Sequence, residues 1–312
     1  MRRLRDEYRR YIMNGKKNNP LITVFTPAYN RAYTLHLCYE SLLRQTSKNF
    51  KWLIIDDGST DNTKEIVDSW IKNDNGFEII YIYKENGGMH TAHNIAYENI
   101  DTELNVCIDS DDYMTDDAIE KIADKWNKSK DDRYAGIVAL DIYNNGEIIG
   151  NGLPNKQSIR LCDYYSNGGK GDKKLIYRTE VINKYPQYPV FEGEKYVSLG
   201  YKYLLIDQDY ELLIMNEPVC VVEYMEDGSS RNMYKQYLKN PKGFAFLRKV
   251  HMKYDKTLKR KFITCTHYVS SSFISKNKSF IKESPSKLMT IMALPFGFIL
   301  YKLIIFKCKE TV

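Results

Sequence analysis

The sequence predicts an α/β fold: a mostly parallel sheet with helices on both faces, followed by a helical C-terminal region. Three observations predict it. Short apolar runs alternate with amphipathic stretches from residue 21 to residue 129, the pattern of consecutive βαβ units. Four of those runs end in polar or glycine-rich clusters, and ligands of open α/β sheets bind beyond the carboxyl ends of the strands. The chain has 312 residues, 43% hydrophobic and 28% charged, which suits one large or two modest folded domains.

In chain order, residues 1–19 read as a polar, basic lead-in without the apolar core of a secretory signal. A strand over 21–26 is stopped by Pro27. Leu35, Leu42 and Leu43 give 32–46 helical spacing. A second strand, 50–55, runs into Asp56-Asp57-Gly58-Ser59, a turn that caps a helix over 62–72. A strand over 77–83, the turn Asn86-Gly87-Gly88, a helix over 90–100, a strand over 104–108 and a helix over 116–129 complete the regular part. Beyond it the pattern loosens. Strands are expected over 134–142, 175–178 and 219–224, and helices over 232–239, 243–254 and 260–275. The division that follows is a lead-in (1–19), a catalytic domain (20–230) and a C-terminal helical region (231–312).

Composition narrows the function. A net charge of +6 is mild for this length and gives no reason to invoke nucleic acid. The six cysteines are scattered with no CxxC, which argues against zinc and disulfide frameworks and for a reducing compartment. Tyr outnumbers Phe, 26 to 12; tyrosine's apolar ring and polar tip suit sugar clefts, although an Asn-, Ile- and Lys-rich composition accounts for the excess equally well.

The polar clusters at the strand ends complement one another chemically. Tyr29 is placed to stack on a nucleobase, and Asp57 to accept from a base imide N–H, while Asp56 braces its loop. Asn86 and Gly87 let backbone approach a ribose or diphosphate. The run Cys107-Ile108-Asp109-Ser110-Asp111-Asp112 drives an apolar strand into carboxylates. Hard oxygen ligands of this kind suit Mg²⁺ or Mn²⁺, which bridge carboxylates to substrate phosphates. Asp111 is expected as the main ligand, Asp109 as a ribose or metal contact, and Asp112 as a structural residue.

Taken in order, Ile22 to Arg31, Leu42-Leu43-Arg44-Gln45-Thr46, Asp56 to Asp61, Asn86-Gly87-Gly88 and Asp109 to Asp112 resemble family 2 glycosyltransferases of the GT-A fold, closely over about residues 20–130 and loosely over 130–225. The resemblance implies a Rossmann-like mixed sheet and inverting, metal-dependent transfer from a nucleotide sugar, UDP-linked as first choice. It implies that Pro27, Tyr29 and Asp57 hold the base, with Arg31, Ser110 and His93 as further donor-side candidates, His93 standing where relatives often have Arg. An inverting reaction also needs a base to take the acceptor hydroxyl's proton. The segment Phe191 to Lys195 supplies Glu194, and Glu192 second, although relatives often carry Glu-Asp where this chain has Glu194-Lys195. Glu226, Asp227 and Gly228 fall where a substrate-covering loop is expected.

The C-terminal stretch 288–306 is almost wholly apolar, interrupted by Pro295, Gly297 and Lys302 and flanked by Lys287, Lys307 and Lys309. A full membrane span, a helix or hairpin lying on the inner leaflet, and a buried or oligomer helix all fit; the inner-leaflet reading is preferred. It implies a cytoplasmic enzyme held peripherally on the membrane, acting on a lipid-linked glycan or surface polysaccharide. The oligomeric state is open. Two competing classes are a nucleotidyltransferase, disfavoured because Pro27 to Arg31 is not a glycine-rich triphosphate loop, and a non-catalytic membrane-bound nucleotide-binding scaffold, disfavoured by the intact Asp109 and Asp111.

Overall fold

A computed structural model of the chain describes residues 20–223 and 233–309. The lead-in and the loop with Glu226, Asp227 and Gly228 therefore lie outside the described residues. The elements are β1 (Ile22–Ala28), α1 (Leu35–Leu43), β2 (Phe50–Asp56), α2 (Thr63–Ile71), β3 (Glu78–Tyr83), α3 (Met89–Asn99), β4 (Leu104–Cys107), β5 (Tyr113–Met114), α4 (Ala118–Ser129), β6 (Tyr134–Ile142), β7 (Ser158–Ile159), α5 (Leu161–Ser166), β8 (Lys173–Arg178), α6 (Thr179–Asn183), α7 (Gly200–Asp209), β9 (Glu211–Val221), α8 (Met233–Lys239), α9 (Pro241–Tyr254), α10 (Leu258–Ile274), α11 (Phe280–Glu283), α12 (Lys287–Met292) and α13 (Leu294–Lys309).

The sheet runs β3-β2-β1-β4-β8-β6-β9-β5, with β7 also on β9. The first four strands are parallel. β8 lies antiparallel between β4 and β6, and β9 returns parallel to β6, so the sheet is mixed. Every residue of β1 and β2 is buried, as expected of parallel strands covered on both faces. Their side chains alternate between two cores. Ile22, Val24, Trp52 and Ile54 pack with Leu35, Val67 and Ile119 on one face. Phe25, Leu53 and Ile55 pack with Ala92, Ala96, Val181 and Ile206 on the other. Each such side chain, fully buried, contributes about 1.5–3 kcal/mol. A third, smaller core gathers Met252, Cys265, Tyr268, Val269, Phe280 and Ala293 among α9 to α13.

The apolar stretch 288–306 is divided between two helices, α12 and α13. Pro295 sits in the first turn of α13, where its missing N–H costs nothing. A Cβ on Gly297 would come within 2.4 Å of the Val269 side chain, so this glycine lets α13 close on α10. Among the described residues no helix is long and apolar enough to cross a membrane, which removes the spanning alternative for this stretch.

Several elements were not foreseen: β5, β7, α5, α6, α7 and most of β9. Strand β9 contains Glu211, Asn216, Glu217 and Pro218, and proline demotes a run that otherwise reads as a strand. Register shifts between β6 and β9 accommodate it. Helix α7 begins at a glycine and mixes Tyr, Lys, Leu and Asp without a clear apolar stripe.

Candidate functional site

The parallel strands end level with one another. Ala28 pairs with Asp56, and Asp56 with Tyr83. β4 is carried forward by Ile108, whose N–H donates to the Phe25 carbonyl at 3.0 Å. The loops after β1, β2, β3 and β4 therefore emerge along one edge. A shallow hollow lined by Asp101, Glu103, Arg178 and Asn183 lies at the opposite edge, where β4 begins, and takes no part in this arrangement.

Polar contacts cross-link the loops. Asn30, held at φ 52°, donates its N–H to Ser59 Oγ at 2.9 Å and accepts from the Thr60 N–H at 2.7 Å. Asp61 accepts from the Ala32 N–H at 3.1 Å. Asp56 accepts from the Ser59 N–H at 2.7 Å and from the Tyr81 hydroxyl at 2.5 Å, the bracing role expected of it. Buried Asp57 accepts the N–H groups of Gly87 and Gly88 at 2.9 and 2.7 Å and pairs with Lys84, while its carbonyl accepts from Asn86 Nδ2 at 2.8 Å. An ionised carboxylate offers about four acceptor positions; three are in use here, and one remains for a ligand. Gly58 is at φ 83°, and a Cβ there would lie 2.7 Å from the Asn86 backbone nitrogen, so only glycine lets the second and third loops meet.

Around this clamp Tyr29 is half exposed and Pro27 is buried at the end of β1. Arg31 lies against Tyr33, donating to its hydroxyl at 2.6 Å. His90, fully buried in α3, has both ring nitrogens without a hydrogen-bond partner, and burial pushes it down to about 4. His93 is also fully buried, edge-on to Phe25 and 3.1 Å from the Tyr97 hydroxyl. Burial, helped by Lys202 and His90, pushes it down to about 3. It is a neutral packing residue, as a lone histidine within a helix more often is.

The turn after β4 closes through the Asp112 N–H on the Asp109 carbonyl at 3.0 Å. Asp109 and Asp111 are partly exposed, whereas Ser110 and Asp112 are buried. Asp112 accepts from the Glu223 N–H at 3.3 Å and faces Lys174 Nζ at 3.8 Å. Burial pushes its carboxyl up to about 8 against the pull of Lys174. Asp112 thus has the structural role expected of it. Lys84, Lys174 and Asp141 were not anticipated from the sequence.

The segment Phe191 to Lys195 meets the same edge. A Cβ on Gly88 would lie 1.9 Å from the Lys195 carbonyl oxygen, so the two backbones touch there. Buried Glu194 accepts the N–H groups of Lys242 and Gly243 at 2.9 and 2.8 Å, capping the amino end of α9. Lys195 donates its N–H to Asn240 Oδ1 at 2.9 Å. Glu192 is exposed.

Comparison with known proteins agrees with this geometry. The model for glycosyl transferase family 2 matches residues 23–185, a little over half of the chain, and spans all four loops. The Streptococcus pneumoniae glycosyltransferase GlyG is 33% identical over 131 residues, 42% of this chain and 42% of its own length. The Pasteurella multocida hyaluronan synthase is 33% identical over 133 residues, 43% of this chain and 14% of that protein. The chain thus spans less than half the length of these curated relatives. Among solved structures, Staphylococcus aureus TarS 1–349 in complex with UDP-GlcNAc superposes with a TM-score of 0.56 at 16% identity, covering 93% of this chain and 92% of the other. A mannosyltransferase from Pyrobaculum calidifontis, in complex with GDP-Man and Mn²⁺, gives 0.52 at 14% identity, covering 95% and 92%. At such identity these two speak for the fold, which is GT-A. With the four loops inside the matched residues, the chain belongs to glycosyl transferase family 2.

Proposed function

We propose that this chain transfers a sugar from a nucleoside-diphosphate donor, UDP-linked as first choice, to a hydroxyl of a glycan or lipid-linked acceptor, with inversion. The observation that carries the proposal is the clamp in which Asp57 holds the Gly87 and Gly88 amides at the edge where Tyr29 and Asp109 emerge. Tyr29 stacks on the base, Asp57 uses its remaining acceptor position for the base imide, and Pro27 shapes the floor beneath them. Asn86, Gly87, Ser110 and Arg31 border the ribose and diphosphate. The UDP-GlcNAc bound to TarS supports the donor class. The relative named as a hyaluronan synthase supports a polysaccharide acceptor.

Asp111, with Asp109, would hold Mn²⁺ or Mg²⁺. The donor set is two partly exposed carboxylates of one turn, and Mg²⁺-type ions are commonly held by one or two carboxylates plus substrate phosphates. Bound there, the ion neutralises charge building on the departing diphosphate. The acceptor oxygen attacks the anomeric carbon, the bond to the diphosphate oxygen breaks, and the hydroxyl proton passes to a carboxylate. Glu194 is buried, and each of its oxygens accepts an N–H at the start of α9, a structural task. Exposed Glu192 in the same segment is the better base, reversing the order expected from sequence.

The C-terminal helices are read here as a membrane-seating face. Leu288, Ile291 and Met292 of α12 and Phe296, Phe298, Ile299, Leu303 and Phe306 of α13 are exposed apolar side chains, with Lys287, Lys302 and Lys307 among them. Such a face lies in a lipid interface with its lysines at the headgroups. The free thiols of all six cysteines suit the cytoplasmic side.

The test is Mn²⁺- or Mg²⁺-dependent hydrolysis and transfer with a panel of nucleotide sugars, compared with Asp111→Ala. Turnover of at least one donor, lost in the variant, supports the reading. No turnover with any donor, together with no melting shift on adding UDP, overturns it.

A further inference from the structure

Behind the carboxylate turn lies a cation that the proposed mechanism does not use. Lys174, on β8, is buried. Its ammonium stands 3.8 Å from Asp112 Oδ2 and 3.8 Å from Asp141 Oδ1. Both distances exceed hydrogen-bond length, so it lies between the two carboxylates without being bonded tightly to either. Asp141 Oδ1 is buried and has no hydrogen-bond partner. Burial by itself lowers a lysine, but here Asp141, Cys220, Asp112 and Asp109 outweigh it and hold Lys174 well above its ordinary value. Asp112 and Asp141 thus flank one buried ammonium, and Asp109 lies within its electrostatic reach. Asp112 in turn receives the N–H of Glu223 at 3.3 Å, the last described residue before the 224–232 stretch.

We infer that Lys174 is a positioning residue: a resident counter-ion that keeps the Asp109–Asp112 turn assembled before the divalent ion arrives and that opposes the ion electrostatically once it binds. The inference rests on the proposed metal site at Asp111 and Asp109. A carboxylate turn with no cation beneath it would repel itself in the metal-free protein. With the ammonium present the turn is preformed, and the approaching ion meets a partly neutralised site. The charge on position 174 therefore sets how tightly the ion is held.

Two nearly isosteric substitutions separate this from a merely structural role. Lys174→Met removes a positive charge, and Asp141→Asn removes a negative one. Mn²⁺ affinity is read without turnover, by titrating free Mn²⁺ with the full chain and following its paramagnetic resonance signal, with and without UDP. The expected result is tighter Mn²⁺ binding by K174M and weaker binding by D141N, each by about fivefold, with the double variant near the unaltered protein. In melting experiments the metal-free K174M protein unfolds at lower temperature and regains more on adding Mn²⁺ than the unaltered protein does. If K174M fails to fold, D141N and the double variant decide. Weaker binding in both single variants, or no change in D141N, overturns the inference. Binding by the unaltered protein that Asp111→Ala leaves intact, or no binding at all, overturns the metal site and this inference with it.

Discussion

From β3 to β4 the polar side chains join loops to one another; from β8 to β9, and on to α9, they join the sheet to its surroundings. Asp57 and Glu194 show the contrast. Each is a buried carboxylate that accepts two backbone N–H groups. Asp57 uses them to hold a neighbouring glycine loop at the sheet edge and keeps an acceptor position unused. Glu194 uses them to seat the amino end of a helix. The same chemistry therefore shapes an open loop edge in one region and a joint in the other. The difference lies in what the captured amides belong to, a glycine loop or a helix.

Substitutions can break or sharpen that contrast. The largest effect is expected from Asp111→Ala, which should lower transfer about a thousandfold, while a partly exposed site keeps the melting temperature nearly unchanged. Next is the pair on the acceptor side. Glu192→Gln should reduce kcat by about a hundredfold without loss of stability. Glu194→Gln should leave kcat within a few-fold and cost about 1 kcal/mol in urea unfolding, the scale of a lost helix cap. If Glu194→Gln alone removed kcat, the joint would be the base after all. On the donor side Asp57→Asn disturbs two amide bonds and the Lys84 pair, and should raise KM for the donor about tenfold and cost about 2 kcal/mol.

A smaller effect belongs to the C-terminal face. Ile299→Asp should reduce co-sedimentation with anionic vesicles several-fold, as a charge opposing burial in lipid does, while hydrolysis of a soluble donor stays constant. Unchanged sedimentation would count against the membrane reading. The smallest is a slope. His93 is held near 3 when folded, against about 6.5 unfolded. The unfolded chain therefore binds the extra proton first, and the stability from neutral His93 is complete above pH 6.5 and lost as pH falls toward 3. His93→Phe should flatten the decline of unfolding free energy between pH 6.5 and 4 relative to the unaltered chain.

The two regions also differ in how well the residues announced them. Strands buried on both faces read as continuous apolar runs, and Asn30, Asp56, Gly58 and Asn86 are turn residues at the ends of such runs, so the order of loops was legible. The direction of their bonds was not: nothing local says that Asp57 reaches Gly87 and Gly88. In the second half, Lys173-Lys174 looks like a surface pair. Yet Lys173 donates to the carbonyls of Ile149, Lys170 and Asp172, and Lys174 is enclosed by carboxylates. Their partners come from other strands and loops, beyond the reach of periodicity. Glu194 looked like part of an acidic turn because the amides it caps lie in a helix that starts at Pro241. Pro218 hid β9 because a strand that tolerates proline needs bulges that only its partner β6 reveals.

The cap at Glu194 bears on whether the chain can be shortened. A protein ending before Asn240 would retain the whole family 2 match, yet it would leave the buried Glu194 carboxylate without its two amides and Lys195 without Asn240, at the residue whose carbonyl touches Gly88. The defect would arise at the Asn86-Gly87-Gly88 loop itself, far in sequence from the cut. Helix α9 is thus a support of the strand-end loops that happens to be encoded late.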